Sequence, residues 1–293
     1  MKRNIYLKTI PPAEAVARVK ASIDREALIR EETIPSHEAS GRVLAHAVHA
    51  RYSSPTFHSA AMDGYAVNAR STFAAREGHP LTLKAGETCF AVNTGHPMPE
   101  GCDAVIMIEQ VMLDGGSVTI EAPAFPWQHV RRIGEDIVAT ELLFPRNHQL
   151  RPWDVGALLS GGIWDVPVWE RVTVRIIPTG DEVLDFTTHP DPGKGQVVES
   201  NSQMLAALAR ELGCVVERAA PVPDNPEALH QALKDSLDAG RHLTIFCAGS
   251  SAGSKDFTRA TLEKEGEILT HGIAAMPGKP SLLANCRGRL VAG

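Results

Sequence analysis

The sequence predicts an α/β fold joined to a mainly-β region, and three features of its pattern point there. After Glu170, buried-type strands alternate with amphipathic helices, as in a parallel sheet with crossover helices. Between Thr33 and Val168, short β-type runs are broken by Gly, Pro and Asn. Ahead of them, Val16, Val19 and Ile23 recur at helical spacing from Pro11-Pro12 onward, an N-terminal arm that ends before Glu31 and Glu32.

In the mainly-β region the expected strands include Val43–Ala45, Leu81–Leu83, Ala104–Ile108 and Ser117–Ile120. Asp114-Gly115-Gly116 between two such runs reads as a hairpin turn, because glycine permits the positive φ these turns need. Val172–Ile177 opens the α/β part as a buried-type strand. A helix carrying Met204, Leu205, Leu208 and Leu212 follows and closes at Gly213. A strand near Val215-Val216 comes next, then a helix opened by Asp224-Asn225-Pro226 with Leu229, Leu233 and Leu237 four apart. Leu243–Phe246, a helix from Phe257 to Lys264, and Ile268-Leu269 continue the alternation. Asn285–Gly288 reads as a turn, so Leu282–Ala284 and Leu290-Val291 are expected to pair. The chain stops on that last apolar run, which predicts a truncated piece.

Composition narrows the function classes. The 293 residues carry a net charge of −6 with Lys and Arg dispersed, so no nucleic-acid face or anionic-membrane patch is expected. No apolar stretch approaches the ~20 residues of a membrane span, and Met1–Tyr6 lacks the apolar segment of a secretory signal, which predicts a cytoplasmic protein. Cys89, Cys102, Cys214, Cys247 and Cys286 are odd in number and never form a C-x-x-C pair, which speaks against disulfides and zinc. They are expected to be small core residues. His46 and His49 would face opposite sides of a strand and are read as structural.

Two distant phrases, Ser59–Ala66 and Pro178–Val183, each set an acid in a glycine-bent turn beside an apolar run. In open α/β sheets ligands bind beyond the carboxyl ends of the strands, which places Thr179–Glu182 and Gly249–Asp256 on that edge. The first phrase belongs to the other region, so a site assembled across domains is expected. Gly249-Ser250-Ser251-Ala252-Gly253-Ser254-Lys255-Asp256 follows a strand and opens a helix, as a phosphate cradle does and as a plain Gly-Ser connector does. Its Gly-x-Ser-x-Gly form also admits a serine hydrolase using Ser251, with Asp256 and His271 in matching order. Asp181-Glu182 offers hard oxygen ligands for magnesium, or a solvated turn. Met276-Pro277-Gly278-Lys279-Pro280 holds a lysine in a stiff turn, for an oxyanion or simply on the surface.

Together these phrases resemble the molybdopterin molybdotransferase family, the MoeA and gephyrin E-domain type. The resemblance runs from the first helix to the last residue and includes Val92–Val105, with Asn93-Thr94-Gly95, and Val130–Ile137, with Arg131 and Asp136. It implies a parallel-sheet, three-layer α/β molybdopterin-binding domain at 171–293, truncated at its C-terminal end. Residues 51–129 would be an inserted β-rich domain, and 1–50 with 130–170 an elongated linker domain of helical arm plus β.

The implied activity belongs to molybdenum cofactor biosynthesis: molybdate enters the dithiolene of adenylylated molybdopterin and AMP leaves, with Mg2+ assisting. The implied assembly is a homodimer whose cleft sets Asp63, Thr94, Arg131 and Asp136 against the opposite subunit's Glu182, Asp224, Ser251 and Asp256. By motif position, Asp256 and Glu182 hold the metal, and Asp63 and Asp136 complete the catalytic set. Thr94, Gly95, Arg131, Thr179, Gly180, Asp181, Asp224, Gly249, Ser250, Ser251, Gly253, Pro277 and Lys279 bind the pterin nucleotide and the molybdate or tungstate. Met276 stands where the family commonly has a lysine, removing one cation from the oxyanion pocket. A non-catalytic molybdopterin-binding or scaffold module is the alternative.

Overall fold

The structure is a computed structural model that describes residues 8–247 and 257–293. The chain forms two compact units, one of residues 1–32 and 169–293, the other of Thr33–Val168. This partition is coarser than the three-way division expected from the sequence.

The first unit is built on a six-stranded sheet: β1 Thr173–Pro178, β2 Val215–Arg218, β3 Leu243–Cys247, β4 Gly266–His271, β5 Leu282–Cys286 and β6 Arg289–Ala292, in the order β2-β1-β3-β6-β5-β4. β2, β1, β3 and β6 run parallel, as expected, but β5 is antiparallel to both neighbours, so the sheet is not wholly parallel. The cause is the expected Arg287-Gly288 turn: both residues have positive φ, the geometry of a two-residue hairpin, and Cys286 faces Arg289 across it.

Helices cover both faces: α1 Pro12–Ser22, α2 Asn201–Glu211, α3 Pro226–Asp238 and α4 Phe257–Glu265. Leu229, Leu233 and Leu237 of α3 and Leu262 of α4 pack with Ile177, Phe246, Leu282, Ala284 and Val291 in one layer. On the other face Leu205, Ala206 and Ala209 of α2 pack with Val174, Ile176, Val216 and Ile245. The α2 face differs from the apolar reading of its sequence: Met204, Leu208 and Leu212 are 64%, 52% and 74% exposed. The alanines seat the helix close to the sheet, so the bulkier stripe four residues apart turns outward. α1 lies against β4 and β5 through Ala15, with Asn285 Nδ2 donating to Ser22 O at 2.7 Å and Arg18 Nη1 to Leu269 O at 2.9 Å.

The second unit is mainly β. Gly64–Val67 is the centre of an antiparallel three-stranded sheet with Cys89–Val92 and Ala104–Met107. Leu81–Lys84, Ser117–Ile120 and Val111–Asp114 form a second, and the turn Gly115-Gly116 joins its hairpin as expected. Val67, Leu83, Cys89, Ile106, Val118 and Ile120 fill the core that these strands share. A separate core draws on both ends of the unit: Leu44, Val48, Leu150, Leu158, Val166 and Val168. All five cysteines are free thiols, buried or half-buried. Among the described residues no helix is long and apolar enough to cross a membrane.

Helix Pro152–Ser160 in the second core starts on a polar knot. Asp154 Oδ2 accepts Arg151 N–H at 2.9 Å and Arg151 Nε at 3.2 Å, and lies 2.7 Å from His148 Nε2. Burial alone raises a carboxyl pKa, but these bonds outweigh it and hold Asp154 at about 2, against an ordinary 3.8. Because the folded value is depressed, the knot's contribution is complete above 3.8 and is lost as pH falls through about 2. Asp154→Asn should cost about 1–3 kcal/mol at neutral pH, measured by denaturant unfolding, and should flatten the acid limb of the stability curve.

Candidate functional site

In the second unit, the candidate residues gather around strand Ser59–Ala60. On one side this strand pairs with Val130-Arg131, Arg131 facing Ser59. On the other it meets the Asn93–Pro97 turn, where Gly95 N–H donates to Ala60 O at 2.8 Å and Ala60 N–H to His96 O at 2.9 Å. Three phrases distant in sequence, 59–66, 92–105 and 130–137, therefore converge on one strand.

Beyond Ala60 the chain turns through Met62-Asp63 into Gly64. A Cβ at Gly64 would lie 2.0 Å from Ile106 O, so this backbone approach admits only glycine. The turn swings Asp63 outward, where its Oδ1 accepts Thr94 N–H at 2.7 Å and Thr94 Oγ1 at 3.1 Å. The backbone bond first, then the hydroxyl, holds the Asp63 carboxyl below its usual range, so Asp63 is ionised at neutral pH. Across the strand, Arg131 Nη2 donates to both carboxylate oxygens of Asp136 at 2.5 and 2.6 Å. Arg131, expected to bind ligand, and Asp136, expected in the catalytic set, are thus already held by each other. The 132–137 turn is tied down by Arg132 N–H to Glu135 Oε2 at 3.0 Å and Asp136 N–H to Ser54 O at 2.9 Å.

In the first unit, Thr179 leaves β1 at its carboxyl end. Its N–H donates to Cys247 O at 2.9 Å and its hydroxyl to the same oxygen at 3.3 Å. Gly180, at φ +134°, donates to Val222 O at 3.1 Å, and Asp181 Oδ1 accepts Asp224 N–H at 3.0 Å. Asp181, Glu182 and Asp224 thereby share one rim of the sheet. Asn225 caps α3, accepting the N–H groups of Glu227 and Ala228. Lys279 sits in the exposed Pro277–Lys279 turn, its carbonyl accepting Ile273 N–H at 3.0 Å. Gly249, Ser250, Ser251, Gly253 and Asp256 lie outside the described residues.

The structure also shows residues that the sequence did not single out. Arg218, Asp185, Glu199 and Ser202 form a half-buried polar cluster beside the Thr179–Glu182 rim. Their separations, up to 33 residues, leave no local motif. As to magnesium, no group of three His, Cys, Asp or Glu among the described residues could hold a metal ion. Of the two residues expected to hold the ion, Glu182 lies on the rim and Asp256 outside the described residues.

The architecture is that of a two-part α/β and mainly-β protein, with Asp63 in the β-rich unit and an acid-lined sheet rim in the α/β unit. Residues 10–162 match the family described as MoeA N-terminal region (domain I and II), and residues 175–291 match the probable molybdopterin binding domain. The chain therefore belongs to the MoeA family. It is 31% identical to a molybdopterin molybdenumtransferase of Synechococcus elongatus, over 86% of this chain and 67% of that protein. It is 33% identical to one of Haemophilus influenzae, over 85% and 64% respectively. The chain thus spans about two thirds of the length of these relatives. The crystal structure of the molybdopterin biosynthesis moeA protein from Pyrococcus horikoshii OT3 superposes with a TM-score of 0.78 at 27% identity, covering 97% of this chain and 74% of that one.

Two outcomes test this geometry. Thr94→Val removes the hydroxyl bond but keeps the amide, so the Asp63 carboxyl pKa should move part of the way back up, as read by NMR titration. Gly64→Ala should cost about 2–4 kcal/mol in unfolding free energy, because the Ile106 backbone has to shift.

Proposed function

We propose that this protein acts in molybdenum cofactor biosynthesis as a molybdotransferase, inserting molybdate into adenylylated molybdopterin with release of AMP. The observation that carries this is the convergence of the Asp63, Thr94 and Arg131 phrases on one strand of a unit matching the MoeA N-terminal region. The α/β unit, which matches a molybdopterin-binding domain, supplies the complementary rim of Thr179, Asp181, Glu182 and Asp224.

The proposed site is shared by two subunits of a homodimer. Asp63, Thr94, Arg131 and Asp136 of one protomer would face Glu182, Asp224, Ser251 and Asp256 of its partner. A three-part organisation fits this arrangement, and the separate cores of residues 34–50 with 144–168 and of the intervening strands support it. Ser251 and the amides around it would hold phosphate, while Lys279 attracts the tetrahedral oxyanion, molybdate or tungstate. Bound magnesium, drawn to Glu182 and Asp256, would offset phosphate charge, and a cytoplasmic setting fits such chemistry.

Asp63 has a defined part here. Fixed as an anion by Thr94, it is a preorganised charge in the second unit's turn and costs no reordering when ligand arrives. Arg131 holds both oxygens of the Asp136 carboxylate through Nη2, so any phosphate taking that end of the guanidinium must displace a formed ion pair. This favours a dianionic ligand over a monoanion.

One observation favours the non-catalytic, pterin-binding alternative: Met276, where the family commonly carries lysine, is 89% exposed beside the Lys279 turn. Calorimetry with molybdopterin-AMP, followed by AMP release with molybdate and magnesium, separates the two; binding without release favours the module. Asp256→Asn should abolish release while pterin binding survives, and equal turnover by this variant would overturn the assignment. Met276→Lys should lower the molybdate concentration for half-maximal release by about 3- to 10-fold, and this gain should shrink at high ionic strength.

A further inference from the structure

The segment after Glu182 makes a long excursion before it returns to α2. Val183-Leu184 pairs in parallel with Val197-Val198, Val197 N–H donating to Glu182 O at 3.0 Å and Glu199 N–H to Leu184 O at 2.9 Å. One step beyond this ladder, in each of its strands, stands an acid: Asp185 and Glu199. Two residue pairs are too few to hold such an excursion by backbone bonds alone.

Arg218, at the end of β2, reaches both acids. Its Nη1 and Nη2 lie 3.3 and 3.1 Å from the Asp185 carboxylate, and Nη2 lies 3.4 Å from Glu199 Oε2. Nε donates to Ser202 Oγ at 3.0 Å, and Ser202 donates to Glu199 through its N–H at 2.7 Å and its hydroxyl at 2.5 Å. Phe186 covers the guanidinium, its ring centroid 4.6 Å away. Glu199 and Ser202 are buried, so loss of the arginine would strand a carboxylate away from water. The Asp185 carboxyl is held below its usual range, first by Thr187 N–H and then by Arg218.

The cluster also joins two loops of the rim. β2 ends at Arg218, and the chain that follows carries Asp224, whose N–H donates to Asp181 Oδ1. One side chain therefore ties the stem that follows Asp181 and Glu182 to the end of the strand whose following loop carries Asp224. We propose that Arg218 is a positioning residue that staples residues 185 and 199 and thereby presents Asp181, Glu182 and Asp224 to the phosphate-bearing end of the adenylylated pterin. This rests on the functional reading above, and it adds a determinant of ligand affinity separate from the residues that touch ligand.

The test uses Arg218→Met and, in case that variant folds poorly, Asp185→Asn, which cuts one arm and leaves buried Glu199 paired. In AMP-release assays on the whole chain, the KM for molybdopterin-AMP should rise about tenfold in the first variant and less in the second, with kcat within about threefold of the parent. Hydrogen exchange of the Val197 and Glu199 amides should quicken in both, while amides of β1 and β3 keep their rates. Unchanged exchange at Val197 and Glu199 would overturn the proposal, as would quickened exchange with unchanged KM. If the parent neither binds nor turns over the pterin, the functional reading fails and the presentation of ligand fails with it. The exchange rates then still decide whether Arg218 holds the stem.

Discussion

The last rung between β1 and β3 is the constraint on which the first unit's rim depends. Pro178 pairs with Cys247 there, and the next residue, Thr179, donates to Cys247 O at 2.9 Å, the slanted bond of a parallel ladder. Pro178 O accepts Val222 N–H at 2.8 Å, and Gly180 N–H returns the bond to Val222 O. Two chain segments thus leave the sheet from one small knot: 179–182 and 222–225. Acids borne on these segments are neighbours because the strand ends are, whatever their distance in sequence.

What was legible in the sequence was what repeats locally. Leu229, Leu233 and Leu237 recur every four residues, and all three are buried in one face of α3. The Gly115-Gly116 and Arg287-Gly288 turns could be read because positive φ at two adjacent positions leaves a compositional mark. The face of α2 could not be read in this way. Ala206 and Ala209 are unremarkable beside three large apolar neighbours, yet their small size decides which side approaches the sheet.

The candidate site was legible in part for the same reason. Asp63 and Gly64 share one turn, and the steric demand at Gly64 marks the place. The partner of Asp63, Thr94, lies 31 residues away, and nothing in either phrase says that the two meet. Arg218 is more hidden still. It sits in a strand whose alternation is weak, and its partners at 185, 199 and 202 come from other elements. Long-range polar pairing follows from topology, and topology had to be known first.

Charge then shapes what such a site can capture. The chain carries a net −6, yet the ligand expected for it brings phosphates and a metal oxoanion. Two arginines near the candidate residues are committed: Arg131 to Asp136, Arg218 to Asp185 and Glu199. Committed cations of this kind order a loop but add no net positive field, because Arg131 is matched by Asp136 and Arg218 faces two acids, Asp185 and Glu199. An approaching dianion therefore meets committed arginines and, in the α/β unit, a rim lined by Asp181, Glu182 and Asp224. Attraction has to come from backbone dipoles at the strand ends and from exposed groups such as Lys279, which makes the exchange of a lysine for Met276 weigh more here than on a basic surface.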